Sequence, residues 1–310
     1  MTHQLIALAL MAALGSLGAR PQAPAERPSG QLLIDAVAVD RQGMPVLDLK
    51  PADLEVWING YRVPIETLTA VTPASGEGTG RPVVVLLDDV TLDPAVVPRA
   101  REVARRLVGR MSPGDQMTIV TLNGTAVEST DDRARLLRSI DRYNTVATGV
   151  LRLDVLGEQV LERIASIARQ LTETSSGRKT IVAIGSAWLF DTPIPPPASG
   201  RDLRPEWTAA MRAMAVAHGA LYVIDPGGVG TSRTIGGASG FARETGGYAF
   251  ANTNGLNEAA DHVMREAGSY YLISVGDPPV GRQSDLRELD VRGLRKGVTV
   301  RARRAIPGAR

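Results

Sequence analysis

Residues 83–87 read Val-Val-Val-Leu-Leu and run straight into two aspartates, Asp88 and Asp89. Five consecutive branched apolar residues leave no face of a strand for water, so this segment belongs inside a parallel sheet with helices on both sides. The flanking chain has the period that such a sheet needs. Apolar residues recur at helical spacing through Ala95–Arg110, and Met117–Leu122 is a second strand. Asn123-Gly124 predicts a tight turn into a short antiparallel edge strand over Thr125–Val127. Asp131 or Asp132 can cap a helix that runs to about Arg142. A further helix over about Val155–Leu171 precedes the strand Thr180–Gly185, and a proline-rich loop over Thr192–Pro205 follows. Helix Glu206–His218, strand Ala220–Ile224, a glycine-rich loop from Pro226, helix Gly240–Thr245, strand Tyr248–Phe250 and helix Glu258–Glu266 continue the alternation. Strands interleaved with helices predict an α/β fold with a doubly wound, mainly parallel sheet.

On either side the period changes to two. Leu33, Val37 and Val39 alternate with polar or small residues, and Leu54–Ile58 and Val63–Leu68 flank Asn59-Gly60, a strong hairpin signal. Ser269–Val275, Leu286–Val291 and Val298–Arg303 alternate in the same way. The expected organisation is an N-terminal β module (31–71), a linker (72–81) rich in glycine, and the α/β unit (82–268). C-terminal strands (269–304) then pack with the N-terminal module as a small β companion domain built from both chain ends, and a tail (305–310) follows. Arg292, Arg295, Arg301, Arg303 and Arg304 are expected on a solvated strand face.

Leu5–Leu14 is an apolar run of secretory length, too short to span a bilayer, and small residues follow it. The expectation is a signal peptide (1–21), a linker (22–30) and an exported protein, periplasmic or secreted, with no stable membrane insertion after signal removal. The 310 residues suffice for one large domain and a small companion. The 35 basic residues stand against 33 acidic ones, and aromatic residues make up only 4%, so neither charge nor stacking platforms argue for nucleic acid. The absence of cysteine removes thiol catalysis, thiolate metal sites and disulfides together.

The order of elements, with Ser112-Pro-Gly-Asp-Gln116, Gly177-Arg-Lys179 leading into Ile181–Ile184, Glu244-Thr-Gly-Gly247, Asn252-Thr-Asn254, Ser269-Tyr-Tyr-Leu272 and the closing Gly297–Arg304, resembles the von Willebrand factor A domain. More narrowly it resembles the exported acidobacterial-type subfamily, over about Leu33–Arg304. The resemblance implies a Rossmann-like α/β fold and a metal-ion-dependent adhesion site at the carboxyl edge of the sheet. There Asp-x-Ser-x-Ser, a loop threonine and a later aspartate hold Mg²⁺, and a partner's carboxylate completes the octahedron. In this chain the corresponding residues are Asp89, Thr91 and Asp93, with Thr148 or Thr145 as the loop threonine. The register from Asp88 places Val90 and Leu92 at ligand positions, which is chemically poor. Ser186 stands where the family has an acidic residue, with Asp191 five residues on. The bland alternative is that Asp88 and Asp89 cap strand and helix ends as solvated or hydrogen-bonded carboxylates.

Other constellations are weaker. Gly227–Gly240 lacks the lysine and spacing of a phosphate-binding loop, Ser239 is outside a nucleophile elbow, and His218 and His262 each stand alone on a helix. Trp57, Trp188 and Trp207 are spread over different elements and read as core or loop packing residues, with a place on a ligand surface near the sheet's carboxyl edge as the alternative for Trp188. The expected function is an exported, non-enzymatic module that binds a protein partner at the carboxyl edge, with a degenerate metal site. The alternative is a metal-free structural or scaffold protein of the cell envelope.

Overall fold

The computed structural model describes residues 31–72, 80–124, 126–145, 153–174, 177–186, 201–230, 236–276 and 286–308. At its centre is a six-stranded sheet built from β5 (Pro82–Leu87), β6 (Gln116–Thr121), β7 (Ala126–Thr130), β8 (Lys179–Ile184), β9 (Gly219–Ile224) and β10 (Ala249–Phe250). The strand order is β10-β9-β8-β5-β6-β7, parallel throughout except for the β6–β7 hairpin. From β5 the chain first winds outward to β6 and β7, and then returns to the other side for β8, β9 and β10. The switch point therefore lies between the carboxyl ends of β5 and β8, where doubly wound sheets open a crevice.

Helices cover both faces. Val83, Val85 and Leu87 pack with α1 (Val97–Gly109), α2 (Arg133–Arg142) and α6 (Leu256–Gly268), while Val84 and Leu86 pack with α3 (Leu153–Thr172), α4 (Arg204–Ala217) and α5 (Gly236–Glu244). The unbroken apolar run thus supplies two cores at once, and each of its five residues is at most 4% exposed. Asp132 caps α2 by accepting the Arg135 N–H at 3.0 Å. Proline stands at the start of α4, which begins at Arg204, inside the stretch expected as loop; residues 192–200 of that stretch lie outside the described residues.

The two ends of the chain form two four-stranded antiparallel sheets. One has the order β13-β1-β11-β4, from β1 (Gln31–Val39), β4 (Ile65–Val71), β11 (Tyr270–Gly276) and β13 (Thr299–Ala302). The other has the order β14-β12-β2-β3, from β2 (Leu54–Ile58), β3 (Tyr61–Val63), β12 (Leu286–Gly293) and β14 (Ala305–Pro307). Ile34, Ala36, Val56, Ile58, Ile273 and Leu289 lie between the sheets in one apolar cluster. Asn59 and Gly60 adopt φ of 51° and 79°, the left-handed pair that joins β2 to β3 without splaying them. The run read as one strand from Val63 splits at Pro64 into β3 and β4, which join different sheets, because proline has no N–H for the ladder. β14 occupies part of the stretch expected as a tail.

Alternate residues of β1 turn away from this sandwich, and one of them is Asp35. It is fully buried and accepts from Arg178, which precedes β8, at 2.5 Å, and also from Arg303. Arg178 in turn donates to the Gly246 carbonyl at 2.7 Å and to the Tyr222 hydroxyl at 3.0 Å, and that hydroxyl donates to Glu266 of α6 at 2.7 Å. Arg301 of β13 pairs with Glu266. Arg303, expected on a solvated face, is thus a buried partner of Asp35, because the strand end turns into the seam between sandwich and α/β unit. Among the described residues no helix is long and apolar enough to cross a membrane.

Candidate functional site

The carboxyl ends of β5 and β8 meet at Asp88. Its side chain is buried, and Gly185 at the end of β8 lies so close that a Cβ there would stand 2.4 Å from the Asp88 Cβ. Only glycine permits that approach. Asp88 Oδ1 accepts the N–H groups of Val90 at 3.1 Å and Thr91 at 2.8 Å, while Oδ2 accepts the Thr91 hydroxyl at 2.5 Å and the Ser186 N–H at 3.3 Å. Burial pushes the Asp88 carboxyl above its usual range, and these four donors oppose the rise. A carboxylate has about four lone-pair positions, and here the chain itself supplies a donor to each. The acceptor positions of Asp88 at the switch point are thus taken by the protein's own chain.

The neighbouring carboxylate goes the other way. Asp89 Oδ1 accepts the Asn123 N–H at 3.2 Å, and Asn123 follows β6, on the opposite side of β5 from Ser186. Asp93 is placed differently again: its carboxylate accepts the Ala95 N–H at 2.8 Å and caps the short 3-10 turn over Pro94–Val96 that leads into α1. Of the residues expected at a metal site, Thr91 and the Ser186 backbone N–H both donate to Asp88, while Asp89 and Asp93 accept from other backbone groups. Val90 and Leu92 are buried apolar residues of the two cores. Thr145 stands just beyond α2, while Thr148 and Asp191 lie outside the described residues.

A hard cation of the Mg²⁺ type needs six oxygen ligands in near-octahedral array. At Asp88 both carboxylate oxygens are already saturated by N–H and O–H donors, and the adjoining side chains at 90 and 92 are apolar, so the donor set at the switch point does not fit such an ion. Among the described residues no group of three or more His, Asp or Glu side chains is placed to hold a metal.

Open space lies instead beside the switch point, between α2 and the strands β6 and β7. A cleft of about 660 Å³ runs there, lined by Asp89, Thr121, Tyr143 and Thr145 together with three arginines of α2, Arg135, Arg138 and Arg142. Its wall is rigidly held. The Tyr143 hydroxyl donates to the Asp88 carbonyl at 2.6 Å, and the Tyr143 carbonyl accepts from Arg101 of α1 at 2.9 Å. Burial pushes the Tyr143 hydroxyl well above its ordinary titration range, so it stays protonated and a donor. The residues on α2 were accessible to sequence reasoning: positions 135, 138 and 142 are spaced as one helical stripe opposite Leu136 and Ile140.

The residues weighed for catalysis lie elsewhere. His218 caps the end of α4 with φ of 57°, and its Nδ1 is 3.5 Å from Asp35; His262 Nε2 is 2.6 Å from Glu266, within ion-pair distance but not aligned for a hydrogen bond. Both belong to the seam network. Ser239 is on α5, and among the described residues no hydrogen bond connects it to either histidine. Trp207 packs edge-on against Phe241, and Trp57 lies under Arg292, so both are packing residues; Trp188 lies outside the described residues. In the loop after β9, the Gly227 carbonyl accepts from Arg99 of α1 at 2.8 Å.

No family model matches the chain, and no curated protein matches it. Among solved structures it is similar to the manganese-loaded TRAP protein of Plasmodium vivax, at 11% identity and a TM-score of 0.41, over 76% of this chain and 96% of that one.

Proposed function

We propose that this chain is an exported, non-enzymatic protein-binding module of the von Willebrand factor A type, periplasmic or secreted, whose ligand surface is the carboxyl edge of the parallel sheet. The observation that carries the reading is the pairing of a fully hydrogen-bonded carboxylate at the switch point with an open cleft beside it. The Asp88 turn makes a rigid platform with no acceptor left over, and the cleft over α2 presents groups that the fold has not used. Recognition then proceeds by contact of protein groups with the partner and needs no resident cation, in contrast to the adhesion site that the sequence resemblance implies.

Bulky substitutions at the edge test this. Asn123→Trp and Asn144→Trp change exposed residues at the edge, and Arg62→Trp changes an exposed residue of the sandwich. Full-length protein immobilised against the envelope fraction of the producing cell should retain a partner in EDTA and lose it with either edge variant, but keep it with Arg62→Trp. Retention that ignores both edge variants sinks the edge reading and leaves the scaffold alternative. Mass spectrometry of exported protein, cut after about residue 21, tests the signal peptide.

A further inference from the structure

The arginines that line the cleft differ from their neighbours. Arg133 donates to the Met111 carbonyl at 2.5 Å, Arg105 pairs with Asp141 at 2.7 Å, and Arg101 holds the Tyr143 carbonyl, so these three have structural partners. Arg135 has, among the described residues, a 3.8 Å contact with the exposed Glu128. Among the described residues the guanidinium groups of Arg138 and Arg142 have no carboxylate partner, although helix position turns both into the cleft. Thr121 and Thr145 line it too, and among the described residues their buried hydroxyls have no hydrogen-bond partner. Buried polar groups are nearly always paired, and an unmatched one costs free energy until a partner arrives. Arg138 and Arg142 are exposed; guanidinium groups donate only, and a hydroxyl can donate, so the groups that line the cleft favour a ligand that accepts.

The layout suits an extended acidic peptide. Arg138 and Arg142 are four residues apart, which is about 6 Å along a helix. Carboxylates on alternate residues of an extended segment stand about 7 Å apart on one side, close to that spacing. Asp89 lines the same space and its Oδ1 already accepts from Asn123, so its other oxygen suits a backbone N–H of the ligand. We propose that the cleft between α2 and β6 binds an acidic segment of a protein partner, with Arg138 and Arg142 gripping its carboxylates and Thr121 and Thr145 donating to it. The inference rests on the carboxyl edge being the ligand surface and adds the chemistry of what is bound.

The test is fluorescence anisotropy of the full chain with a fluorescein-labelled hexaglutamate peptide in EDTA, with hexalysine and inorganic phosphate as comparisons. Hexaglutamate should bind saturably, hexalysine should not, and the Kd should rise about tenfold or more in Arg138→Ala/Arg142→Ala, as charge-assisted pairs require. The Kd should also rise steeply with salt. Arg62→Ala, on the sandwich, should leave the Kd unchanged. Hexaglutamate binding that the double variant retains, or no binding at all, overturns the proposal. Phosphate competing as effectively as the peptide reassigns the cleft to small anions and overturns it too. If hexaglutamate fails while Asn144→Trp still abolishes partner retention, this inference falls and the edge reading stands; if the edge variants fail as well, both fall.

Discussion

Replacing Asp35 by asparagine keeps its size and removes the one negative charge between two buried guanidinium groups. Arg178 and Arg303 are 4% and 3% exposed, and both donate to the Asp35 carboxylate. Removing one partner from such a cluster leaves uncompensated buried charge, which costs about 3–5 kcal/mol. That is a large share of a typical folding free energy of about 5–15 kcal/mol. At about 1.5 °C per kcal/mol for a chain of about 300 residues, the melting temperature should fall by roughly 5–8 °C. Burial raises the Asp35 carboxyl, but Arg303, His218 and Arg178 outweigh it and hold the group well below its usual range. A carboxyl whose folded pKa is depressed stabilises the fold above its unfolded pKa, and this stabilisation is lost as pH falls through the folded value. The gap between wild type and Asp35→Asn in urea unfolding should therefore be full at pH 7 and shrink below about pH 4. A gap under about 1 kcal/mol at pH 7, or one that grows on acidification, would refute the reasoning. The triple change Asp35→Leu/Arg178→Met/Arg303→Met should recover much of the loss, since the cost lies in orphaned charge.

Two further consequences concern neighbouring sites. Burial is the largest influence on His218 and lowers its pKa, and Arg303 and Lys179 add to it against the pull of Asp35. The unfolded chain therefore takes up the proton first, and stability falls as pH drops below about 6.5. His218→Asn tolerates the left-handed backbone at φ 57° and should flatten unfolding free energy between pH 7 and 5; an unchanged slope there would exclude His218 as the source. Gly185→Ala forces a Cβ to 2.4 Å from Asp88, an overpacking that costs about 1–3 kcal/mol. Its urea midpoint should drop accordingly, and a neutral result would mean that the turn at Asp88 can yield.

The fold was legible wherever one period dominates. The apolar run at 83–87, the Asn-Gly turns at 59–60 and 123–124, and the alternating ends translate directly into strands, because burial and left-handed turn geometry are local demands. The direction of single side chains was not legible. Asp88 and Asp89 are adjacent in sequence, yet the first reaches toward β8 and the second toward β6, and only the strand order places Ser186 and Asn123 on opposite sides. Likewise, the period-two pattern at the end of the chain says which residues alternate but not that Arg303 meets Asp35, 268 residues away. The α2 arginines show the converse, a stripe visible in the sequence whose meaning depends on what faces it. Charge on a helix is ordinarily a solvated face, and only the cleft with its unpaired hydroxyls distinguishes these three.

The central claim is that the carboxyl edge works without a bound cation because Asp88 is saturated by its own turn. Thermal melting of the full chain in EDTA, and then in millimolar Mg²⁺, Mn²⁺ or Ca²⁺, tests it most directly. An ion at about 100 times its Kd that binds only the folded state would add about 2.7 kcal/mol. The account predicts coincident melting curves in all four conditions. A cation-dependent rise that disappears in Asp88→Asn or Asp89→Ala would contradict it and restore a metal-dependent adhesion site to this edge.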